Sequence, residues 1–110
     1  MFERIKNLLF PKTFEDYELF VFFMCGSAGA ATLSKDNIPF ELIAVTLWIV
    51  NGILSMKGSR EEVSLSTCVL FAYTSFIILF ILAFVTHGLW AFAVPPAGII
   101  VFLIFYLFNH

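Results

Sequence analysis

Charge is what this sequence has least of. Residues 63–108 contain no Asp, Glu, Lys or Arg, and in the whole chain of 110 residues 13% are charged while 61% are hydrophobic. In a typical soluble domain about a quarter of the residues are charged. The composition predicts that lipid surrounds most of the outer surface, and that the chain is a single all-α integral membrane domain.

The sequence is also poor in groups that carry chemistry. A net charge of -2 without a dense basic cluster excludes a nucleic-acid partner. The two cysteines, Cys25 and Cys68, lie in apolar segments, which is not typical of a disulfide framework or a metal knuckle. The only histidines are His87 and the C-terminal His110, so no catalytic arrangement or paired haem ligation is indicated. We expect no enzymatic activity, no cofactor and no metal.

The uncharged half is too long for one membrane crossing. As a straight helix, residues 63–108 would extend ~69 Å, more than twice the ~30 Å hydrocarbon core of a bilayer. The chain is expected to turn back at Thr86-His87-Gly88, where a titratable side chain meets a helix breaker. This predicts a third span over residues 60–86, capped by Ser59, and a fourth over residues 88–108.

The Pro95-Pro96 pair interrupts the predicted fourth span. The two prolines remove two backbone donors, and Pro96 disfavours a helical conformation at Pro95. We therefore expect a kinked or two-part segment. In the two-part form, residues 89–94 lie in the interface and the spanning helix begins at Pro95.

The N-terminal half predicts three further helices. Apolar residues at helical spacing indicate a short interfacial amphipathic helix over residues 1–11. Thr13 is predicted to cap a helix, and the first span is expected over residues 14–33. Pro39 suits the first turn of the second span, which is predicted over residues 39–56.

The distribution of cations predicts the orientation. With four spans, Lys35 falls on one side of the membrane and the other cations fall opposite: Arg4, Lys6, Lys12, Lys57 and Arg60. The positive-inside rule then predicts a multi-pass protein of the cell inner (plasma) membrane with both termini in the cytoplasm. His87 is expected on the outer side.

Small residues dominate the outer half of the first span. Three overlapping pairs have the small-xxx-small spacing that lets helix backbones approach closely in lipid, namely Cys25 with Gly29, Gly26 with Ala30 and Ser27 with Ala31. The pattern fits either a seam for self-association or packing inside the bundle.

Three polar residues are candidates for a role inside the membrane: Glu18, Asn51 and His87. Intramembrane polar groups are costly and by default functional candidates. Glu18 and Asn51 lie at similar depth, so we expect a hydrogen-bonded clamp between the first two spans. The alternative is a proton or cation site built on Glu18.

These features favour a small non-catalytic membrane protein that acts through helix–helix association, as a subunit or assembly partner of a larger membrane complex. One alternative is a homo-oligomeric pore-forming or membrane-perturbing protein, holin-like or effector-like in type. A second is a small transporter that uses Glu18. The expected partners are membrane lipids and either itself or other membrane-protein subunits.

Overall fold

The computed structural model describes residues 2–34 and 37–108, and every secondary-structure element within these ranges is helical. The all-α fold class is confirmed. Lys35, on which the predicted orientation partly depends, and His110 lie outside the described residues. The elements in chain order are α1 Phe2–Leu9, α2 Phe14–Phe20, a π-helical segment Val21–Cys25, α3 Gly26–Leu33, α4 Ile38–Ser59, α5 Leu65–His87, a 3-10 helix Gly88–Ala93 and α6 Val94–Phe108.

Helix α1 occupies most of the stretch predicted as an amphipathic helix. Its Leu8 is 1% exposed, whereas Glu3 and Lys6 on the other faces are exposed. The Tyr73 hydroxyl of α5 donates a hydrogen bond to the Leu9 carbonyl oxygen. These contacts pack α1 against the bundle through its apolar side.

Residues 14–33 form one continuous helix, called here the α2–α3 helix. The Thr13 side chain caps it by accepting a hydrogen bond from the Asp16 backbone N–H at 3.2 Å. Right-handed helical dihedrals continue through Phe20, Cys25 and Gly26, so the π segment is a wide turn within the helix. A wide turn inserts one extra residue, which rotates everything beyond it by about 100° relative to an uninterrupted α-helix.

Helix α4 begins near the predicted position and ends later. The Asn37 side chain accepts a hydrogen bond from the Phe40 backbone N–H at 3.3 Å, and Pro39 lies in the first turn, where a missing N–H costs nothing. The prediction ended this helix at residue 56, but it continues to Ser59.

The prediction that Ser59 caps the third helix is wrong. Glu61 has a positive φ of 61°, and its N–H bonds the Gly58 carbonyl while the Glu62 N–H bonds the Lys57 carbonyl, at 3.0 and 2.9 Å. This is a Schellman reversal, which satisfies the last carbonyls of α4 and keeps Ser59 inside that helix.

Helix α5 starts at Leu65, five residues later than predicted. Its cap is Ser64, whose side chain accepts a hydrogen bond from the Thr67 N–H at 3.3 Å. A serine three residues before an acid predicted the wrong cap, because the reversal of the chain at Glu61 places residues 60–63 outside any helix.

The turn after α5 falls where the sequence indicated it. Helix α5 ends at His87, and Gly88 adopts φ 64° and ψ -133°, a conformation open almost only to glycine. The interruption before the last helix is the 3-10 segment Gly88–Ala93. Pro95 and Pro96 lie in the first turn of α6, which tolerates residues without an N–H, so the segment is two-part and the prolines do not break a helix.

Two helical stretches, Ile38–Ser59 and Leu65–Phe108, are long and apolar enough to cross a membrane on the criteria of length and composition alone. A straight helix of 44 residues would extend ~66 Å. The longest dimension of the structure is 36 Å, so the second stretch must reverse its direction. The reversal occurs at the 3-10 segment. The two stretches lend weak support to an association with membranes.

The α2–α3 helix is the centre of the packing. Its α3 part contacts α4, α5 and α6, and its α2 part contacts α1, α4 and α5. The side chains in the hydrophobic core of the bundle are mostly small or aromatic. The buried hydrophobic residues of the main cluster are Leu8, Tyr17, Phe20, Phe23, Met24, Cys25, Ala28, Ala44, Cys68, Ala72, Leu79 and Phe102.

Candidate functional site

Three buried polar side chains tie the α2–α3 helix, α4 and α5 together. The Tyr17 hydroxyl lies 3.2 Å from both the Asn51 Oδ1 atom and the Asn51 carbonyl oxygen. The Asn51 Nδ2 group donates to the Ser75 Oγ at 3.1 Å and to the Leu47 carbonyl at 2.8 Å. Ser75 in turn donates to the Phe71 carbonyl at 2.9 Å. We call Tyr17, Asn51 and Ser75 the polar clamp.

The polar clamp is buried, although Tyr17 and Asn51 also border a hollow of about 210 Å³. Tyr17 and Ser75 are 0% exposed and Asn51 is 1% exposed. Both Asn51 amide hydrogens have acceptors and its Oδ1 atom has a donor, so the group that carries the most hydrogen-bonding capacity is satisfied within the protein. The arrangement therefore holds three helices in one register.

The predicted Glu18–Asn51 hydrogen bond is wrong. Glu18 is exposed, and its Oε1 atom accepts a hydrogen bond from Ser55 at 2.7 Å. Neighbouring residues on a helix differ in direction by about 100°, so Tyr17 faces Asn51 while Glu18 points to the side. Tyr17 is the residue that sequence reasoning missed. Its spacing to Phe20, Met24 and Ala28, all buried, is the signal that would have found it.

The predicted packing seam divides into two faces. Cys25 and Gly29 face inward. A Cβ atom on Gly29 would lie 2.3 Å from the Trp48 ring of α4, so only glycine leaves room for that indole. The Trp48 Nε1–H group donates to the Cys25 carbonyl at 3.2 Å, and the Cys25 thiol donates to the Ala72 carbonyl at 3.6 Å. These contacts serve packing within the chain.

Gly98 brings α6 close to the same helix. A Cβ atom at Gly98 would lie 2.9 Å from the Phe23 carbonyl oxygen and 3.2 Å from the Ser27 Oγ. That carbonyl lies in the π segment, and Ser27 donates to it at 2.5 Å. The close backbone approach of α6 thus depends on a glycine that the sequence analysis did not single out.

Gly26 and Ala30 face outward. The nearest atom to a Cβ on Gly26 would be the Val21 carbonyl oxygen at 3.9 Å, an ordinary van der Waals contact, and Ala30 is exposed. They form the floor of an open, mainly apolar cleft of about 500 Å³ between α4 and α6. We call this the lateral cleft. It is lined by Val21, Phe22, Phe23, Gly26, Ser27, Ala30, Trp48 and Val101.

Glu18 lies at one end of this surface. It lines two smaller hollows of about 210 and 300 Å³, and Phe22 borders both of them as well as the lateral cleft. Glu15 lines the larger of the two hollows. Within the described residues the Glu18 carboxylate is partnered by the neutral Ser55 hydroxyl, so no described cation neutralises its charge.

His87 joins two helix ends. Its Nε2 atom lies 2.7 Å from the Ser34 Oγ and 2.7 Å from the Ala31 carbonyl oxygen, and Ser34 also donates to that carbonyl at 2.7 Å. The side chain therefore holds the end of α5 against the end of α3. The Thr32 hydroxyl also links α3 to α5, since it lies 3.3 Å from the Leu79 carbonyl oxygen. The sequence analysis did not predict this contact.

The described residues contain no group of three or more His, Cys, Asp or Glu side chains that could hold a metal ion. Comparison of the chain with protein-family models, with curated proteins and with solved structures finds no match. The functional argument therefore depends on the geometry of the polar clamp, the lateral cleft and Glu18.

Proposed function

We propose that this chain is a four-span, non-catalytic membrane protein that acts by helix–helix association, as a subunit or assembly partner of a larger membrane complex. The observation that carries the proposal is the lateral cleft. Its floor of Gly26 and Ala30 is open, while Gly29 on the neighbouring face of the same helix is filled by Trp48. Small residues in lipid support close helix packing, and this surface has no partner within the described residues.

Helix lengths support four spans. The α2–α3 helix and α4 would extend ~30 and ~33 Å, and α5 ~35 Å, each close to the thickness of the hydrocarbon core. Helix α6 has 15 residues, and the preceding 3-10 segment adds six. The distribution of Lys and Arg supports an inner-membrane orientation with both termini in the cytoplasm.

The topology can be tested by cysteine labelling. Cys25 and Cys68 are buried and 0% exposed, so both are expected to react slowly and leave a low background. Cysteines placed by Ser59→Cys and His87→Cys should be labelled by an impermeant maleimide from the cytoplasmic and outer sides, respectively. Labelling of position 59 from outside would reverse the orientation, and labelling of both positions from one side would mean that α5 does not cross the membrane.

The commitment of the interior polar groups supports an assembly role. The buried side-chain nitrogen and oxygen atoms of the described residues all have hydrogen-bond partners in the protein. The polar clamp uses its groups between helices, and Trp48 and Thr32 do the same with backbone carbonyls. Such a bundle is suited to present a rigid outer face to another membrane protein.

Native mass spectrometry of the chain, extracted from its own membrane in mild detergent, tests association directly. We expect stoichiometric foreign subunits, and we expect Gly26→Leu and Ala30→Leu to remove them by filling the lateral cleft. Thr74→Leu is a matched control, since Thr74 is exposed on α5, which does not line the cleft. A closed ring of identical chains would favour the pore-forming alternative. A chain that is extracted as a monomer, without foreign subunits, and that stays unchanged in both variants would contradict the proposal.

A further inference from the structure

The lateral cleft and the Glu18 carboxylate form one continuous surface, because Phe22 borders both. We propose that this surface is the docking site for a transmembrane helix of a different chain, one that carries a Lys or Arg at the depth of Glu18. The inference deepens the proposed function and rests on it. It adds the chemistry of the partner.

The shape of the surface suits a helix. Glu18, Phe22, Gly26 and Ala30 follow each other at intervals of four residues, and a stripe of this length extends ~18 Å along the axis. The π segment keeps the stripe on one side, since four residues are slightly less than one π turn and slightly more than one α turn. Gly26 and Ala30 let another helix backbone approach closely and gain van der Waals contacts. A flexible lipid chain does not require such small residues, so they favour a helix as the occupant.

The walls of the lateral cleft fix where the partner helix would lie. Trp48 stands on the α4 side and Val101 on the α6 side. Phe22, which is 72% exposed, projects between the small-residue floor and Glu18. A partner helix therefore has a place for large side chains over Gly26 and Ala30, and it must offer a smaller residue opposite Phe22.

The charge at the end of the surface selects a cation on the partner. Glu18 accepts one hydrogen bond from Ser55, which leaves acceptor capacity on its carboxylate, and Glu15 lines the same hollow. A carboxylate near the membrane interface forms its strongest hydrogen bonds with Lys or Arg, whose long side chains can also reach the headgroup region.

The same charge argues against a second copy of this chain as the occupant. Two copies inserted in the same orientation and related by a two-fold axis along the membrane normal would pack identical surfaces together. Glu18 would then approach Glu18 of the other copy, and two like charges repel at that distance. A helix from a different chain avoids this repulsion.

The test uses synthetic transmembrane helices as probes. The chain has two tryptophans, so Trp90→Phe leaves Trp48, which lines the lateral cleft, as the single fluorescent donor. Two dansyl-labelled Leu/Ala peptides, identical except for a Lys or a Gln near one end, are titrated against this variant in lipid bicelles. We expect saturable quenching of Trp48, with the Lys peptide binding about tenfold more tightly, as one charge-assisted hydrogen bond implies.

Variants of the chain separate the two parts of the proposal. Glu18→Gln should make the two peptides bind equally. Glu18→Lys should reverse the charge preference, so that a third peptide that carries Glu in place of Lys binds most tightly. Ala30→Leu should abolish quenching by all three peptides. Thr74→Leu should change nothing. The charge exchange keeps the test informative, because a variant that merely unfolds cannot gain a new preference.

Several outcomes would overturn the inference. Equal binding of the Lys and Gln peptides to the unaltered chain would show that the partner helix needs no cation. Quenching that survives Ala30→Leu removes the lateral cleft as the site. Stronger quenching by a dansyl-labelled alkyl amphiphile that keeps a free ammonium group than by any peptide would identify the occupant as a cationic amphiphile. Foreign subunits in native mass spectrometry whose binding ignores Glu18→Gln would leave the proposed function standing without this inference.

Discussion

The inward and outward faces of the α2–α3 helix carry the same kind of sequence and have opposite surroundings. Gly29, on the inward face, has the Trp48 ring where a Cβ atom would be, whereas a Cβ atom on Gly26, three residues earlier, would only touch the Val21 carbonyl oxygen at 3.9 Å. Small-xxx-small spacing therefore identifies a helix that packs closely, but it does not decide which face packs within the chain. The rotation introduced by the π segment contributes to that decision.

The largest expected contrast is between alanine substitutions at these two glycines. Gly29→Ala would place a Cβ atom 2.3 Å from the Trp48 ring, so the indole must move and its hydrogen bond to the Cys25 carbonyl is strained. We expect a loss of about 2–3 kcal/mol in the free energy of unfolding. Unfolding by SDS titration, followed by circular dichroism, measures this loss.

Gly26→Ala is the matched control. It adds the same methyl group to the same helix, but with the nearest atom at an ordinary contact distance of 3.9 Å, and it replaces a glycine that disfavours helix formation. We expect a gain of up to about 1 kcal/mol in the free energy of unfolding. Equal losses at positions 26 and 29 would show that the two faces do not differ as described.

The next contrast compares the polar contacts that α4 makes with the inward and outward faces of the α2–α3 helix. Asn51→Ala removes the middle of the polar clamp, leaves Ser75 without its donor and opens a small void. We expect a loss of about 2 kcal/mol in the free energy of unfolding. Glu18→Gln keeps an acceptor for Ser55 on an exposed side chain, so its unfolding curve should coincide with that of the unaltered chain. If Glu18→Gln destabilised the chain as much as Asn51→Ala, Glu18 would belong to the structural core.

Much of the fold follows from the sequence because the helix boundaries depend on local chemistry. Thr13 caps the α2–α3 helix, Pro39 lies in the first turn of α4 and Gly88 ends α5, each where the sequence predicted it. The boundary after α4 escaped prediction because its stop signal is Glu61 with φ 61°, and a non-glycine residue rarely adopts that conformation.

The site was less predictable because it depends on which way each face points. Asn51 and the small residues were recognised by type, but their partners were not. Tyr17 rather than Glu18 meets Asn51, and Trp48 occupies the space above Gly29. Both facts follow from the rotation of the α2–α3 helix against α4. The π segment contributes to that rotation, and nothing in the local sequence VFFMC predicts a π segment.

The smallest expected effect is the most specific test of the inward face. Tyr17→Phe removes one hydroxyl from the polar clamp and keeps the ring in the core, so we expect a loss of about 0.6–1 kcal/mol, the usual range for a hydrogen bond between helices in lipid. A double-mutant cycle with Asn51→Ala should yield a coupling energy of similar size. The cycle of Glu18→Gln with Ser55→Ala on the outward face should give a coupling near zero, because that bond is exposed. Coupling in the second cycle but not in the first would mean that the helix is rotated by one residue from the arrangement described, so that Ala30 rather than Gly29 faces Trp48.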